Sequence, residues 1–338
     1  MAMPMHAPAA APRMVTIYGG SGFVGRYIAR RMAKAGWRVR IAVRNPNEAL
    51  FVKVYGSPGQ VEPVFCNIRD DASVAAVMEG ADAVCNCVGI LAEAGRNTFE
   101  AIQAKGAERI ARLAAERGIG RMVQISAIGA DGEADSEYAR TKAAGEAGVL
   151  RHLPDAVILR PSIVFGPEDE FFNRFASMAR FGPVLPVVGA DTRFQPVYVD
   201  DVAHAAEKAL TGAAEPGFYE LGGPDVATFR ELMEEMLGVI GRRRLIANMP
   251  FPIARLIAFG SGVANTLTLG LAPQPITSDQ VANLRRDNVV TGETMTFEDL
   301  GIVPTSMEAI LPDYLWRFRK GGEYAEIQES AKDLRVDL

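Results

Sequence analysis

"VTIYGGSGFVGRYIARRMAKAGWRVRIAVR", residues 15–44, decides the fold. A short β-prone apolar run leads into Gly19-Gly20-Ser21-Gly22-Phe23-Val24-Gly25, a helical stretch follows, and a second apolar run ends at Arg44. This is a strand, a glycine loop, a helix and a strand in about 30 residues, the spacing of a dinucleotide-binding crossover. The three spaced glycines have separate tasks. Gly19 permits the tight turn, Gly22 lets a pyrophosphate approach the backbone, and Gly25 lets the helix pack close to the strand. Ser21, Phe23 and Val24 complete the loop as cofactor contacts, because the helix starting there turns free N–H groups and a positive dipole end toward the phosphates.

The end of the second strand reads the adenosine ribose. An Asp or Glu there would accept hydrogen bonds from both ribose hydroxyls and favour NAD(H). Arg44 occupies the place instead. A guanidinium cannot accept those bonds but can clamp a 2′-phosphate, with Arg26 placed to assist, so NADP(H) is expected over NAD(H). Ligands of such folds gather at strand C-terminal ends. That rule sets Asn67 and Ile68 ("CNIRD") beside the adenine, and Cys87, Val88 and Gly89 ("NCVG") near the ribose and nicotinamide.

Outward from this unit, strand-like runs recur at 14–18, 37–43, 61–66, 82–88, 121–126 and 156–160, with helical patterns at 24–35, 97–117 and 137–151 between them. Near-continuous apolar strands alternating with helices predict an α/β fold: a doubly wound parallel Rossmann sheet covered on both faces. After residue 167 Gly and Pro punctuate shorter helical runs, which predicts a smaller, mostly helical C-terminal part. The expected organisation is a tail over 1–12, a nucleotide-binding domain over 13–167 to which 194–211 returns, a substrate or partner region over 168–320, and a tail over 321–338.

The chain has 338 residues, 49% of them apolar and 23% charged, which fits a soluble globular protein. A net charge of −5 argues against nucleic acid as a partner, since phosphate backbones require a basic surface. Three cysteines form no disulfide framework, and no Cys or His cluster has metal-ligand spacing, so no metal is expected. The Ala/Pro-rich start lacks signal-peptide and transit-peptide features, which points to a cytoplasmic protein. Leu256–Ser278 carries no charge until Asp279, but its glycines and prolines break it up too often for a membrane span. Flanked by Arg242, Arg243, Arg244, Arg255, Arg285 and Arg286, it reads as a buried helix and loop or as a surface that meets anionic lipid.

"EYARTKAAGE", residues 137–146, carries the candidate chemistry. Four-residue spacing puts Tyr138 and Lys142 on one helical face. An ammonium near a phenol stabilises the phenolate and can also hold nicotinamide-ribose hydroxyls. Tyr138 could then move the proton that accompanies hydride transfer, with Ser126 at the end of the fifth strand orienting the substrate oxygen.

Here the sequence resembles the short-chain dehydrogenase/reductase superfamily in its extended or atypical form. The stretch "LRPSIVFGPED" (159–169) implies Pro161, Ser162 and Ile163 as nicotinamide contacts, and "PVYVDDVAHA" (196–205) a unit joining the two parts. "ISAIGAD", "YARTKAAGE", "FGPEDEFFNRFASMARFGPVLPVV", "FQPVYVDDV", "PFPIARLIAF" and "FEDLGI" together look like the nucleotide-binding accessory subunits of respiratory complex I, of the alpha subcomplex subunit nine type, and their bacterial relatives. That resemblance implies a firmly held NADPH and a peripheral position on the cytoplasmic face of the inner membrane, near the quinone region. It also implies complex I subunits as partners, with 242–286 against the membrane surface or a neighbour. Two other readings stay open: a stand-alone NADP-dependent oxidoreductase or epimerase, acting on a quinone or other small carbonyl compound with Tyr138 as acid/base, and an NmrA-like redox sensor.

Overall fold

The computed structural model describes residues 12–267 and 276–322. Six strands follow the expected runs: β1 (Met14–Tyr18), β2 (Arg38–Val43), β3 (Val61–Phe65), β4 (Ala83–Asn86), β5 (Met122–Ile125) and β6 (Val157–Pro161). A seventh, β11 (Gly217–Leu221), joins them, and the parallel order is β11-β6-β5-β4-β1-β2-β3. The chain starts in the middle, winds out to β3, and returns to β4 on the other side of β1. That reversal is the switch point at which a crevice opens beyond the strand ends.

Both faces are covered, so the central strands β1, β4 and β5 carry no charged residue, and their few polar side chains are hydrogen-bonded inside. Every position of β1, β4 and β5 is buried. Helices α1 (Phe23–Lys34) and α6 (Val199–Thr211) pack on one face; α2 (Asp71–Val77), α3 (Lys105–Glu116) and α4 (Glu137–His152) pack on the other. Arg31 ties α1 to α6 with a two-pronged contact to Asp200 at 3.0 and 2.7 Å.

The smaller part holds α5 (Phe172–Met178), α7 (Phe229–Val239), α8 (Phe251–Leu267), α9 (Ser278–Asn283) and α10 (Met307–Leu315). Three short strand pairs accompany them. They are β7 (Val164–Phe165) with β10 (Val197–Tyr198), β8 (Val184–Val188) with β13 (Leu245–Met249), and β9 (Arg193–Phe194) with β12 (Ala227–Thr228). Phe165, Phe172, Phe194 and Phe229 form its core, and the buried Asp169 accepts a 2.5 Å hydrogen bond from Tyr314 on α10.

β11 lies inside the range assigned from sequence to the smaller region. It contains the buried Glu220, which breaks the apolar pattern. Thr291, 71 residues downstream, satisfies that charge from its N–H and its hydroxyl at 2.7 and 2.8 Å. Residues 1–11, 268–275 and 323–338 lie outside the described residues, and with them most of both tails and part of the Leu256–Ser278 run. Among the described residues no helix is long and apolar enough to cross a membrane.

Candidate functional site: a dinucleotide crevice

The glycine loop is built at the C-terminal end of β1. Gly19 adopts φ +73° and donates to Ala42 O on β2 at 3.0 Å, and Gly22 N–H closes the turn on Gly19 O at 2.9 Å. A Cβ on Gly25 would lie 2.5 Å from Gly19 O and 2.7 Å from Gly20 Cα, so the helix and the loop touch backbone to backbone. No side chain caps α1, and its first turn has no carboxylate, which leaves its leading N–H groups to an anion.

Arg44 stands exposed just past β2, where the sequence puts the 2′-phosphate reader. Arg26 is engaged differently. It donates to Ser21 O at 3.0 Å and Gly22 O at 3.3 Å, lies 4.8 Å over the Phe51 ring and approaches Glu168 at 3.5 Å. It braces the loop from behind. Phe23 packs edge-on against Tyr27, and Val24 lies against the sheet core.

At the expected adenine position, Asn67 keeps a partly exposed side chain whose Oδ1 accepts from Arg69 N–H at 3.2 Å. The Ile68 side chain is spent on the core under α3, and its carbonyl accepts from Arg109 at 3.0 Å. On β4, the buried Asn86 donates to Gln124 on β5 at 2.8 Å and accepts from Val88 N–H at 3.1 Å, which fixes the strand exit through Cys87, Val88 and Gly89. The Cys85 and Cys87 sulfurs are 3.6 Å apart, and this contact, with burial, holds the Cys85 thiol well above its usual range.

Gly89 meets Lys142 across the crevice: a Cβ there would be 3.6 Å from the ammonium. Lys142 is buried, donates to Ile125 O at 3.2 Å, and lies 5.8 Å over the Tyr138 ring. Burial pulls its pKa down to about 8, against the opposing pull of Glu146 and Cys87. Tyr138 packs edge-on against Phe99 at 6.0 Å between centroids. Burial, helped by the Asp279 carboxylate, pushes its phenol up to about 12. The lysine therefore does not bring the phenol down, as its spacing alone would suggest; desolvation outweighs it. Ser126 Oγ is buried without a hydrogen-bond partner.

Pro161, the last residue of β6, is buried, and Ile163 beyond it packs against the smaller core. The Ser162 hydroxyl, expected at the nicotinamide, donates to Asn288 O and Oδ1 at 2.9 and 2.7 Å. Its side chain ties the crevice wall to the C-terminal segment.

Asp279 of α9 was not legible in sequence. Its Oδ1 accepts from Glu137 N–H at 2.6 Å, and its Oδ2 from the Ser136 hydroxyl at 2.8 Å, capping the helix that carries Tyr138 and Lys142. The residues fit a dinucleotide: a glycine cradle at an uncapped helix start, an unpartnered Ser126 hydroxyl, and an ammonium with protons left to donate.

The family model described as NAD dependent epimerase/dehydratase matches residues 15–222. An Arabidopsis thaliana relative, a mitochondrial NADH dehydrogenase [ubiquinone] 1 alpha subcomplex subunit 9, is 37% identical over 91% of this chain and 79% of its own length. A Caulobacter vibrioides ceramide reductase is 29% identical over 71% of this chain and 74% of its own. Among solved structures, an Escherichia coli NADPH-dependent quinone oxidoreductase complexed with NADPH superposes with TM-score 0.68 at 18% identity, over 89% of this chain and 98% of that one.

Proposed function

We propose, from the premise that this chain belongs to the NAD dependent epimerase/dehydratase family, that it is an accessory or assembly subunit of a respiratory NADH:quinone oxidoreductase that holds NADPH structurally. The observation that carries this reading is the 37% identity, along nine-tenths of the chain, to an alpha subcomplex subunit 9. It sits peripherally, on the cytoplasmic face of the inner membrane near the quinone region. Helix α8 supports that placement. Ala254 and Ala258 face inward, while Ile253, Leu256 and Phe259 are 51%, 72% and 67% exposed, the reverse of a globular helix's pattern. Residues 242–286 hold six arginines and one carboxylate, in a chain whose net charge is −5. Native purification tests the reading. Copurifying complex subunits and released NADPH are expected; a soluble, unattached, nucleotide-free protein would sink it.

Arg44 carries the cofactor preference. A charge-assisted phosphate contact contributes about 1.5–3 kcal/mol, so Arg44→Ala is expected to weaken NADPH binding by about ten- to a hundredfold. NADH affinity should stay nearly unchanged. Parallel titrations check this, and equal losses for both nucleotides would remove Arg44 from the role.

A second reading, a reductase, is favoured by the Caulobacter relative and by the Ser126, Tyr138 and Lys142 set. A phenol near 12 is protonated at neutral pH, so it suits giving a proton to a carbonyl oxygen held by Ser126. Alcohol oxidation or epimerisation would require the phenolate. The nicotinamide, when bound, supplies the hydride. In this reading Tyr138→Phe abolishes reduction of quinones or lipid-like ketones at unchanged NADPH affinity. Wild-type protein inert to all of them leaves the holding role alone.

A further inference from the structure

Residues 276–290 bind the exposed helix α8 on one side and the nicotinamide wall of the crevice on the other. Toward α8, Val281 packs with Ala254 and Ala258, and the Arg285 guanidinium lies 5.2 Å over the Phe251 ring. Toward the crevice there are three attachments. Asp279 caps α4 through Glu137 N–H and Ser136, with a third, longer contact to Tyr138 N–H at 3.4 Å. Arg286 pairs with Asp131, in the loop after β5, at 3.2 Å. Asn288 accepts from Ser162 and donates to Ile128 O at 3.4 Å. The elements held are those that carry Ser126, Tyr138, Lys142 and Ser162.

We infer that docking of α8 on an anionic bilayer tightens nucleotide binding, with Asp279 as the link between the two sites. This rests on the membrane placement proposed above. A bilayer is the occupant because the outward residues are long apolar chains and the exposed Arg255 stands among them on α8, whose sequence carries no carboxylate. Docking fixes α8, and α9 with it. Asp279 then holds the first turn of α4 in place, so less ordering remains to be done when a nucleotide arrives. Reciprocity requires bound nucleotide to strengthen membrane attachment by the same factor.

The test uses the full chain, NADPH fluorescence titration, and vesicles of phosphatidylcholine with or without phosphatidylserine. Cosedimentation with the anionic vesicles alone is expected, with the NADPH dissociation constant falling about fivefold or more. Simple repulsion between NADPH and an anionic surface would weaken binding, so the expected sign is opposite to that of a non-specific effect. Asp279→Asn should sediment normally and lose the tightening. Arg286→Gln, at an exposed position, should reduce it and serves if the first variant does not fold. Sedimentation of wild-type protein with an unchanged dissociation constant overturns the coupling but leaves the membrane placement standing. Full tightening in both variants overturns the link through this segment. Failure to sediment, or equal sedimentation with neutral vesicles, overturns the anionic-bilayer premise itself.

Discussion

Gly25→Val is expected to eliminate measurable NADP(H) binding, a loss of at least about a hundredfold, or about 3 kcal/mol. The reason is local and steric. A single added carbon at Gly25 lands 2.5 Å from Gly19 O and 2.7 Å from Gly20 Cα, and both are backbone atoms that no rotamer change can clear. Either α1 withdraws from β1 or the loop opens. Both outcomes move the leading N–H groups of α1 away from the line along which a pyrophosphate would lie. The two branches of valine make relaxation harder than alanine would. The folded protein should survive with a lower midpoint of thermal unfolding, because the sheet core on either side of the loop is untouched. Gly120→Ala is the control: a Cβ there meets nothing within 4 Å, so affinity and stability should match wild type. Isothermal titration and thermal unfolding of the three proteins decide it. Near-normal NADPH binding by Gly25→Val would place the nucleotide elsewhere.

The parts of the molecule that sequence reveals are those whose physics is local. The glycine loop, β1, β2 and α1 lie within 31 consecutive residues, Met14–Arg44. The pairing of Tyr138 with Lys142 is a property of one helix. β11 escapes because its buried Glu220 is answered by Thr291, and no periodicity within "GFYEL" signals that partner. Asp279 escapes for the same reason. Read alone, "TSDQ" at 277–280 is the cap of its own helix, a role that Thr277 does fill by accepting from Gln280 N–H at 3.1 Å. The second helix that Asp279 caps begins more than 140 residues earlier. Ser162 and Ile68 show the converse. Their positions at strand ends nominate them for the cofactor, yet the hydroxyl is taken by Asn288 and the apolar side chain by the core. Strand position nominates a residue; the neighbours brought in by the rest of the chain determine what it binds.

Lys142→Met is expected to stabilise the nucleotide-free protein at neutral pH while weakening NADP(H) binding. Burial lowers the lysine's pKa from 10.5 to about 8, so the folded state disfavours the charged form. The sign follows from linkage. Where the folded pKa is depressed, the group's stabilising contribution is present above the unfolded value of 10.5 and lost as pH falls through about 8. At pH 7 the wild-type protein therefore carries a charged lysine at an upper-limit cost of about 3 kcal/mol. Methionine, of similar length and uncharged, removes that cost. The stability advantage of the variant should be largest below pH 8 and shrink as pH approaches 10.5. Nucleotide binding should show the opposite side of the same chemistry. Ribose hydroxyls give the ammonium acceptors in addition to Ile125 O, so binding favours the charged form and raises its pKa. Wild-type affinity should hold below about pH 8 and decline above it. The Lys142→Met protein should bind about tenfold or more weakly at pH 7, with that pH dependence gone. Thermal unfolding across pH, paired with NADPH titrations on both proteins, checks both halves. A variant less stable than wild type at pH 7, with an unchanged affinity profile, would show that the buried ammonium serves the fold and not the ribose.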